Sequence, residues 1–195
     1  MKLPRKFKTV YIDPPWPERG GGKIKRGADR HYLTMTVPEI NAVVAPILYG
    51  KMARDSHMYL WTTNNFFEQA LLLMRVWGWR YITPVTWMKG KIIGHDRNAI
   101  GAYDDFELKL QIGLGQYFRG VTEHCLFGVR GRIPYQLLAS GQRAQGLTGF
   151  IAERGRHSEK PETMRKMIED VSPPPYLELF AREPHAGWAV WGNEV

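Results

Sequence analysis

The chain has 195 residues, 44% of them hydrophobic, enough for one domain with a substantial core and short for two. Lys and Arg outnumber Asp and Glu by 27 to 19, a net charge of +8 that suits a polyanionic partner. The single cysteine, Cys125, excludes an intrachain disulfide and a Cys-rich zinc site, and no apolar stretch reaches the roughly 18 residues that span a bilayer.

The amino terminus has charges but no signal-type core after them, so the expected setting is cytoplasmic and reduced, with no membrane partner and no metal. A single domain over 1–195 is expected, with mobile loops at 17–31, 89–119 and 130–157.

The first element is a short buried strand over 9–12, where β-branched and aromatic residues stand together and Pro14 stops the ladder. Residues 17–31 are Gly-rich and basic. A phosphate-binding P-loop is rejected there, because Ile24 stands where a hydroxyl residue should follow Lys23. A lid carrying Lys23, Lys25, Arg26 and Arg30 toward a nucleic-acid backbone fits the composition better.

A helix over 38–48 follows, with Pro38 in its first turn, then a strand over 57–62. Helical spacing of Phe66, Ala70, Leu73, Met74 and Trp77 predicts a helix over 65–77 that Thr63 or Asn64 can cap. Residues 80–88 and 123–129 read as strands. Between 89 and 119 the pattern breaks down, and 130–157 is loop-like and basic; long irregular connections are usually functional. Pro161 opens a helix with Met164, Met167, Ile168 and Val171 on one face, ended by Pro173-Pro174-Pro175. Strands over 176–180 and 188–191 close the chain. This alternation predicts an α/β fold with a mostly parallel sheet and helices on both faces.

Asp13-Pro14-Pro15-Trp16 sits at the carboxyl end of the first strand, where open α/β sheets bind ligands. These residues suit an exocyclic amine on a planar base. The amine lone pair is delocalised into the ring; Asp13 and the Pro14 carbonyl can accept its two hydrogens and free that pair. Pro14 and Pro15 fix φ and preorganise the carbonyl, and Trp16 offers a stacking face worth roughly 1–3 kcal/mol. The same four residues also fit a second reading, with Asp13 as a helix cap and Trp16 in the core.

With Asp13-Pro14-Pro15-Trp16 at one end and Leu177-Glu178-Leu179-Phe180-Ala181-Arg182, Gly187-Trp188 and Gly192-Asn193 at the other, the chain resembles the S-adenosylmethionine-dependent N6-adenine methyltransferases typified by the catalytic subunit of the eukaryotic mRNA adenosine methyltransferase. Tyr32 with Thr34-Met35, Leu60-Trp61, Glu123-His124 with Gly128, and His157-Ser158 with Lys160-Pro161 extend the likeness over nearly the whole chain.

The resemblance implies a Rossmann-like methyltransferase fold in circularly permuted order, the catalytic motif preceding the cofactor-binding strand. It implies that Asp13 to Trp16 hold the amine, with Asp13 also near the methionine part of S-adenosylmethionine. Tyr32 would border the base pocket, and Lys160 would contact the methionine carboxylate or the substrate. Arg182, Asn193 and Glu194 would hold the ribose and adenosine. Glu123 would touch substrate or orient a loop arginine such as Arg119. Without the resemblance, Arg182 reads as a surface partner of Glu183 or Glu178.

Only eight residues precede Thr9, so the cofactor's adenine is expected to be held elsewhere, with 140–157 as the candidate. Target recognition is expected from 89–119 and 130–157, from a second copy in a homodimer, or from a partner subunit. The compact form resembles prokaryotic and phage-type members, which favours DNA as substrate. The alternatives are the same reaction on RNA, or a non-catalytic nucleic-acid-binding partner subunit.

Overall fold

The structure, a computed structural model, describes residues 6–18, 34–93, 107–113, 117–134, 136–155 and 159–192. Its frame is an eight-stranded sheet flanked by three α-helices. In chain order these are β1 (Phe7–Ile12), α1 (Val37–Lys51), β2 (Met52–Thr62), α2 (Phe67–Val76), β3 (Arg80–Ile93), β4 (Glu107–Leu110), β5 (Thr122–Arg130), β6 (Gly149–Ala152), α3 (Glu162–Val171), β7 (Tyr176–Leu179) and β8 (Trp188–Trp191).

The strand order is β4-β3-β5-β2-β1-β7-β8, with β6 also paired to β3. Following the pairings from strand to strand, β1, β2, β3, β6, β7 and β8 run one way and β4 and β5 the other. The sheet is therefore mostly parallel, as expected. The carboxyl ends of β1, β2, β3, β7 and β8 and the amino end of β5 meet along one rim.

Strand parity sorts the core into two layers, because successive side chains point to opposite faces. Val10 and Ile12 of β1, Met58 and Leu60 of β2 and Leu126 of β5 pack with Ile40, Val44 and Leu48 of α1 and Ala70, Leu73 and Met74 of α2. Tyr11, Tyr59, Trp61 and Cys125, their sequence neighbours, pack on the other face with Met164 and Ile168 of α3. Helices thus cover both faces. Burial pushes the Cys125 thiol well above its ordinary pKa, which keeps it unreactive.

The helices start where local chemistry allows. Thr36 and Glu39 form a reciprocal capping box at α1, with Pro38 in its first turn. The expected Thr63 or Asn64 cap on α2 is absent: residues Asn64–Phe66 form a 3₁₀ turn, and neither it nor α2 carries a side-chain cap bond.

Several strands run past their expected ends. β2 begins at Met52, ahead of its expected start, through Arg54 and Asp55, which are exposed and carry no apolar signal. β3 continues to Ile93 and pairs with β4, so part of 89–119 is ladder. β6 lies within the expected loop 130–157 and pairs with β3. Among the described residues no helix is long and apolar enough to cross a membrane, and no cluster of His, Cys, Asp or Glu could hold a metal ion.

Candidate active site

Ile12 pairs with Leu60 on β2 and with Leu179 on β7, so β1 ends in the middle of the sheet. Asp13 donates one last backbone bond to the Leu179 carbonyl at 3.4 Å. Pro14 and Pro15 have no N–H, and the ladder stops there. The turn that follows is fastened from several sides. Trp16 N–H donates to the Pro14 carbonyl at 2.8 Å, Met35 N–H to the Pro15 carbonyl at 2.9 Å, and Glu18 N–H to the Trp16 carbonyl at 2.7 Å. The Glu18 carboxylate accepts from the Thr63 hydroxyl and, at 2.9 Å, from Asn65 Nδ2. The end of β1 is thereby tied to the start of α2.

Trp16 corrects one expectation. Its ring is 4% exposed, donates from Nε1 to the Trp61 carbonyl at 2.9 Å and stacks on Phe66 with centroids 5.5 Å apart. It is a core residue that braces the turn, and it presents no face for a flipped base. Asp13 does not cap a helix either.

One residue beyond Ile12, Asp13 continues the Tyr11 face of β1, toward α3. There Lys160, just ahead of α3, places Nζ 2.8 Å from Asp13 Oδ2 and 3.5 Å from Glu123 Oε2. The other oxygen of Glu123 pairs with Lys89 Nζ. Four alternating charges, Asp13, Lys160, Glu123 and Lys89, thus run across the rim from β1 to β3. The two ammonium groups also lie over aromatic rings, Lys160 over Trp61 at 5.4 Å and Lys89 over Trp87 at 5.2 Å.

Burial pushes the Asp13 pKa up, and Lys160 and Arg182 only partly offset it. Burial also pushes Glu123 upward, but Lys160 and Lys89 together outweigh it and hold its carboxyl below the usual range. Burial lowers Lys89 against the pull of Glu123. Glu123 serves two ammonium groups at once, which favours its own charged form. Arg119 is not its partner: that side chain is exposed and donates from Nε to the Gly113 carbonyl at 2.6 Å.

Lys89 and Glu18 went unassigned in the sequence. Parity with buried Trp87, two residues earlier on β3, is the signal that turns Lys89 inward.

Below Asp13 a crevice opens between β7 and α3, lined by Tyr11, Lys160, Arg165, Glu178, Phe180 and Arg182. Glu178 forms its buried floor and pairs with Arg165 at 3.0 Å, so Glu178 is engaged there and not as the surface partner of Arg182. Phe180 adopts φ 64, a left-handed conformation that costs a bulky residue roughly 1–2 kcal/mol. That turn reverses the chain after β7, and Arg182 follows it on the crevice wall.

Gly192, at the end of β8, is pressed against the same turn: a Cβ there would meet the Ala181 carbonyl oxygen at 2.1 Å. Asn193 and Glu194 lie outside the described residues, as do Tyr32, Lys23, Lys25, Arg26 and Arg30.

Comparison with known proteins identifies the family. A bacterial type II methyltransferase, M.MunI from Mycoplasma sp, is 27% identical over 215 residues, covering 100% of this chain and 80% of its own length. A probable N(6)-adenosine-methyltransferase MT-A70-like protein from Oryza sativa subsp. japonica is 26% identical, and the chain spans 24% of it. The N6-methyladenosine RNA methyltransferase MTA1 of Cryphonectria parasitica is 27% identical, with 97% of this chain matched to 52% of the relative. The MT-A70 family model matches residues 7–194, and the chain belongs to that family of N6-adenine methyltransferases.

Proposed function

We propose that the chain transfers a methyl group from S-adenosylmethionine to the exocyclic N6 amine of adenine in nucleic acid, with DNA as the favoured polymer. The observation that carries this reading is Asp13: a half-buried carboxylate at the tip of β1, 2.8 Å from Lys160 and open to the crevice walled by Arg182.

The donor set of that crevice fits the cofactor. Asp13 suits the ammonium of a methionine moiety and Lys160 its carboxylate, while Arg182, with Asn193 and Glu194 beyond the described end of β8, suits vicinal hydroxyls and adenosine. S-adenosylmethionine held there would supply an electrophilic methyl group, carried on its sulfonium, to the amine that these residues position.

The chain's own groups act on the amine. Asp13 and the Pro14 carbonyl accept its two hydrogens, one lone pair of that carbonyl being already engaged by Trp16 N–H. The nitrogen becomes pyramidal and its electron pair turns toward the methyl carbon. After methylation the nitrogen is acidic, and its surplus proton leaves by way of Asp13 to water. Glu123, itself held by Lys89, pairs with Lys160 and keeps it in place. By the family resemblance Tyr32 would border the target base, and Lys23, Lys25, Arg26 and Arg30 would serve the phosphate backbone; about six phosphate contacts in all would give log affinity falling with log salt at a slope of roughly −5.

DNA is favoured because the chain spans 80% of the type II methyltransferase from Mycoplasma sp, a DNA methyltransferase, against 52% of the RNA-named relative. RNA is the second reading, on the strength of that name. The test incubates the full chain with methyl-labelled cofactor and either methylation-free duplex DNA or total RNA. Label at adenine N6 of DNA is expected, and Asp13→Ala should abolish it while calorimetric cofactor binding persists. Turnover retained in Asp13→Ala rejects the role of Asp13. Label in RNA alone changes the polymer, and no cofactor binding revives a non-catalytic partner subunit.

A further inference from the structure

β4 and β5 pair with β3 in succession: Leu110 stands opposite Gly90 and Thr122 opposite Met88. The chain between them leaves the ladder through a neck closed on Lys89. Gln111 N–H donates to the Lys89 carbonyl at 2.7 Å, and Lys89 N–H donates to the Val121 carbonyl at 2.8 Å. One step farther out, Gly113 N–H donates to the Gly120 carbonyl at 2.6 Å, and Arg119 Nε donates back to the Gly113 carbonyl at 2.6 Å.

Beyond this braced neck stand Tyr117 and Phe118, 93% and 91% exposed. A lone exposed aromatic means little. Two adjacent rings, almost wholly in water just past a neck closed by four hydrogen bonds, contribute little to the packing of the described residues. Their surroundings are basic: exposed Arg119 is next in sequence, and Arg154 lies so close to the neck that a Cβ on Gly113 would meet its Nη2 at 3.0 Å. Arg154 N–H is itself bonded to Gln111 Oε1 at 2.7 Å. Aromatic faces between guanidinium groups suit nucleobases within a phosphate backbone.

We infer that Tyr117 and Phe118 form a wedge that enters the base stack of duplex DNA and fills the gap left when the target adenine is turned out. The inference rests on the proposed methyl transfer to adenine, which requires that the base leave the helix at a cost of a few stacking contacts. Apolar side chains inserted between base steps are a general means of offsetting that cost. The position suits the task, since Lys89 holds the neck through its backbone and Glu123 of the charge ladder through its side chain.

The test needs no knowledge of the target sequence. Fluorescence anisotropy of the full chain is measured on an intact duplex and on the same duplex with one central abasic site, which offers a gap already open. The wild type should bind the abasic duplex about tenfold more tightly. The double variant Y117A/F118A should lose that preference and keep the salt-dependent affinity for intact duplex within about threefold, and Y117W/F118W should restore the preference. Equal affinities in the wild type, or a preference that survives in Y117A/F118A, overturn the wedge. A wild-type dimer that the double variant dissolves, with the abasic preference unchanged, also overturns it and makes the rings a copy-to-copy contact. Methyl transfer and calorimetric cofactor binding are read in parallel, so a failure of the proposed reaction is seen separately from a failure of the wedge.

Discussion

Lys160 Nζ stands 2.8 Å from Asp13 Oδ2, so the carboxylate proposed to grip the amine is already held by an ammonium. Burial raises the Asp13 pKa, and Lys160 is the largest opposing influence. Lys160→Met should therefore push Asp13 further up. A protonated carboxyl has one acceptor oxygen fewer for the amine, so the acid limb of the rate profile should move to higher pH. Transfer near neutrality should fall roughly 10²-fold, the loss typical of removing one preorganised polar group. Single-turnover methylation across pH measures this; an unchanged acid limb rejects the coupling.

The raised Asp13 value also makes a statement about stability. The unfolded carboxyl titrates near 3.8, the folded one above it. As pH rises through that window the folded state retains the proton longer, so stability falls, and at pH 7 ionised Asp13 is a net cost. Asp13→Asn should leave the melting temperature equal or higher at pH 7, and the gain should fade as pH drops below 3.8. Transfer should be lost throughout. A clear drop in melting temperature at pH 7 would show that the ion pair with Lys160 outweighs burial.

Trp16 separates bracing from substrate stacking. Trp16→Phe keeps most of the buried area but leaves the Trp61 carbonyl without its donor, a loss of about 1–3 kcal/mol. Trp16→Ala should cost about 3–5 kcal/mol. Urea unfolding reads both. A base-stacking Trp16 would instead raise KM and spare stability.

Trp16 also shows how far the sequence could be read. The order of strand, acid and paired prolines was legible because Pro14 and Pro15 cannot join a ladder whichever way the chain folds. Whether the next ring faced the crevice or the core was not, since it depends on the Trp61 carbonyl, 45 residues away. Lys89 was missed for a similar reason: its partner is in β5, and only the antiparallel register of β3 with β5 brings the two side chains together. α2 and α3, one in each layer, were readable from apolar spacing, and α1 from Pro38 in its first turn. β4 and β6 are short and half-exposed, and carry too little apolar pattern to stand out.

Glu123 gives an acid-range prediction of opposite sign to Asp13. Lys160 and Lys89 outweigh burial and hold it below 4.5, so its contribution is fully present above that value and is lost as pH falls through the lower folded value. Glu123→Gln should lose roughly 1–3 kcal/mol at pH 7, because it leaves the largely buried Lys89 ammonium with a neutral acceptor and Lys160 with Asp13 alone. Its stability should change less than the wild type's on acidification below pH 4.5. Urea midpoints at several pH values decide this, and parallel curves for the two proteins would remove Glu123 from the ladder's energetics.

Gly192 tests whether the end of β8 belongs to the cofactor site. A Cβ there would lie 2.1 Å from the Ala181 carbonyl oxygen and 2.9 Å from its nitrogen, both backbone atoms that no rotamer change can move. Gly192→Ala must separate β8 from the turn that carries Arg182, breaking the 3.1 Å bond from Ala181 N–H to the Trp191 carbonyl. The overpacking should cost about 1–3 kcal/mol of stability. Because the same displacement spreads the crevice wall, calorimetric affinity for S-adenosylmethionine should fall by roughly tenfold or more even at temperatures where the variant is fully folded. Gly50, within α1, has no atom within 4 Å of the equivalent position. Gly50→Ala should therefore keep cofactor affinity and gain up to about 1 kcal/mol from helix propensity. Equal cofactor affinity in the two variants would place the ribose contacts away from β8.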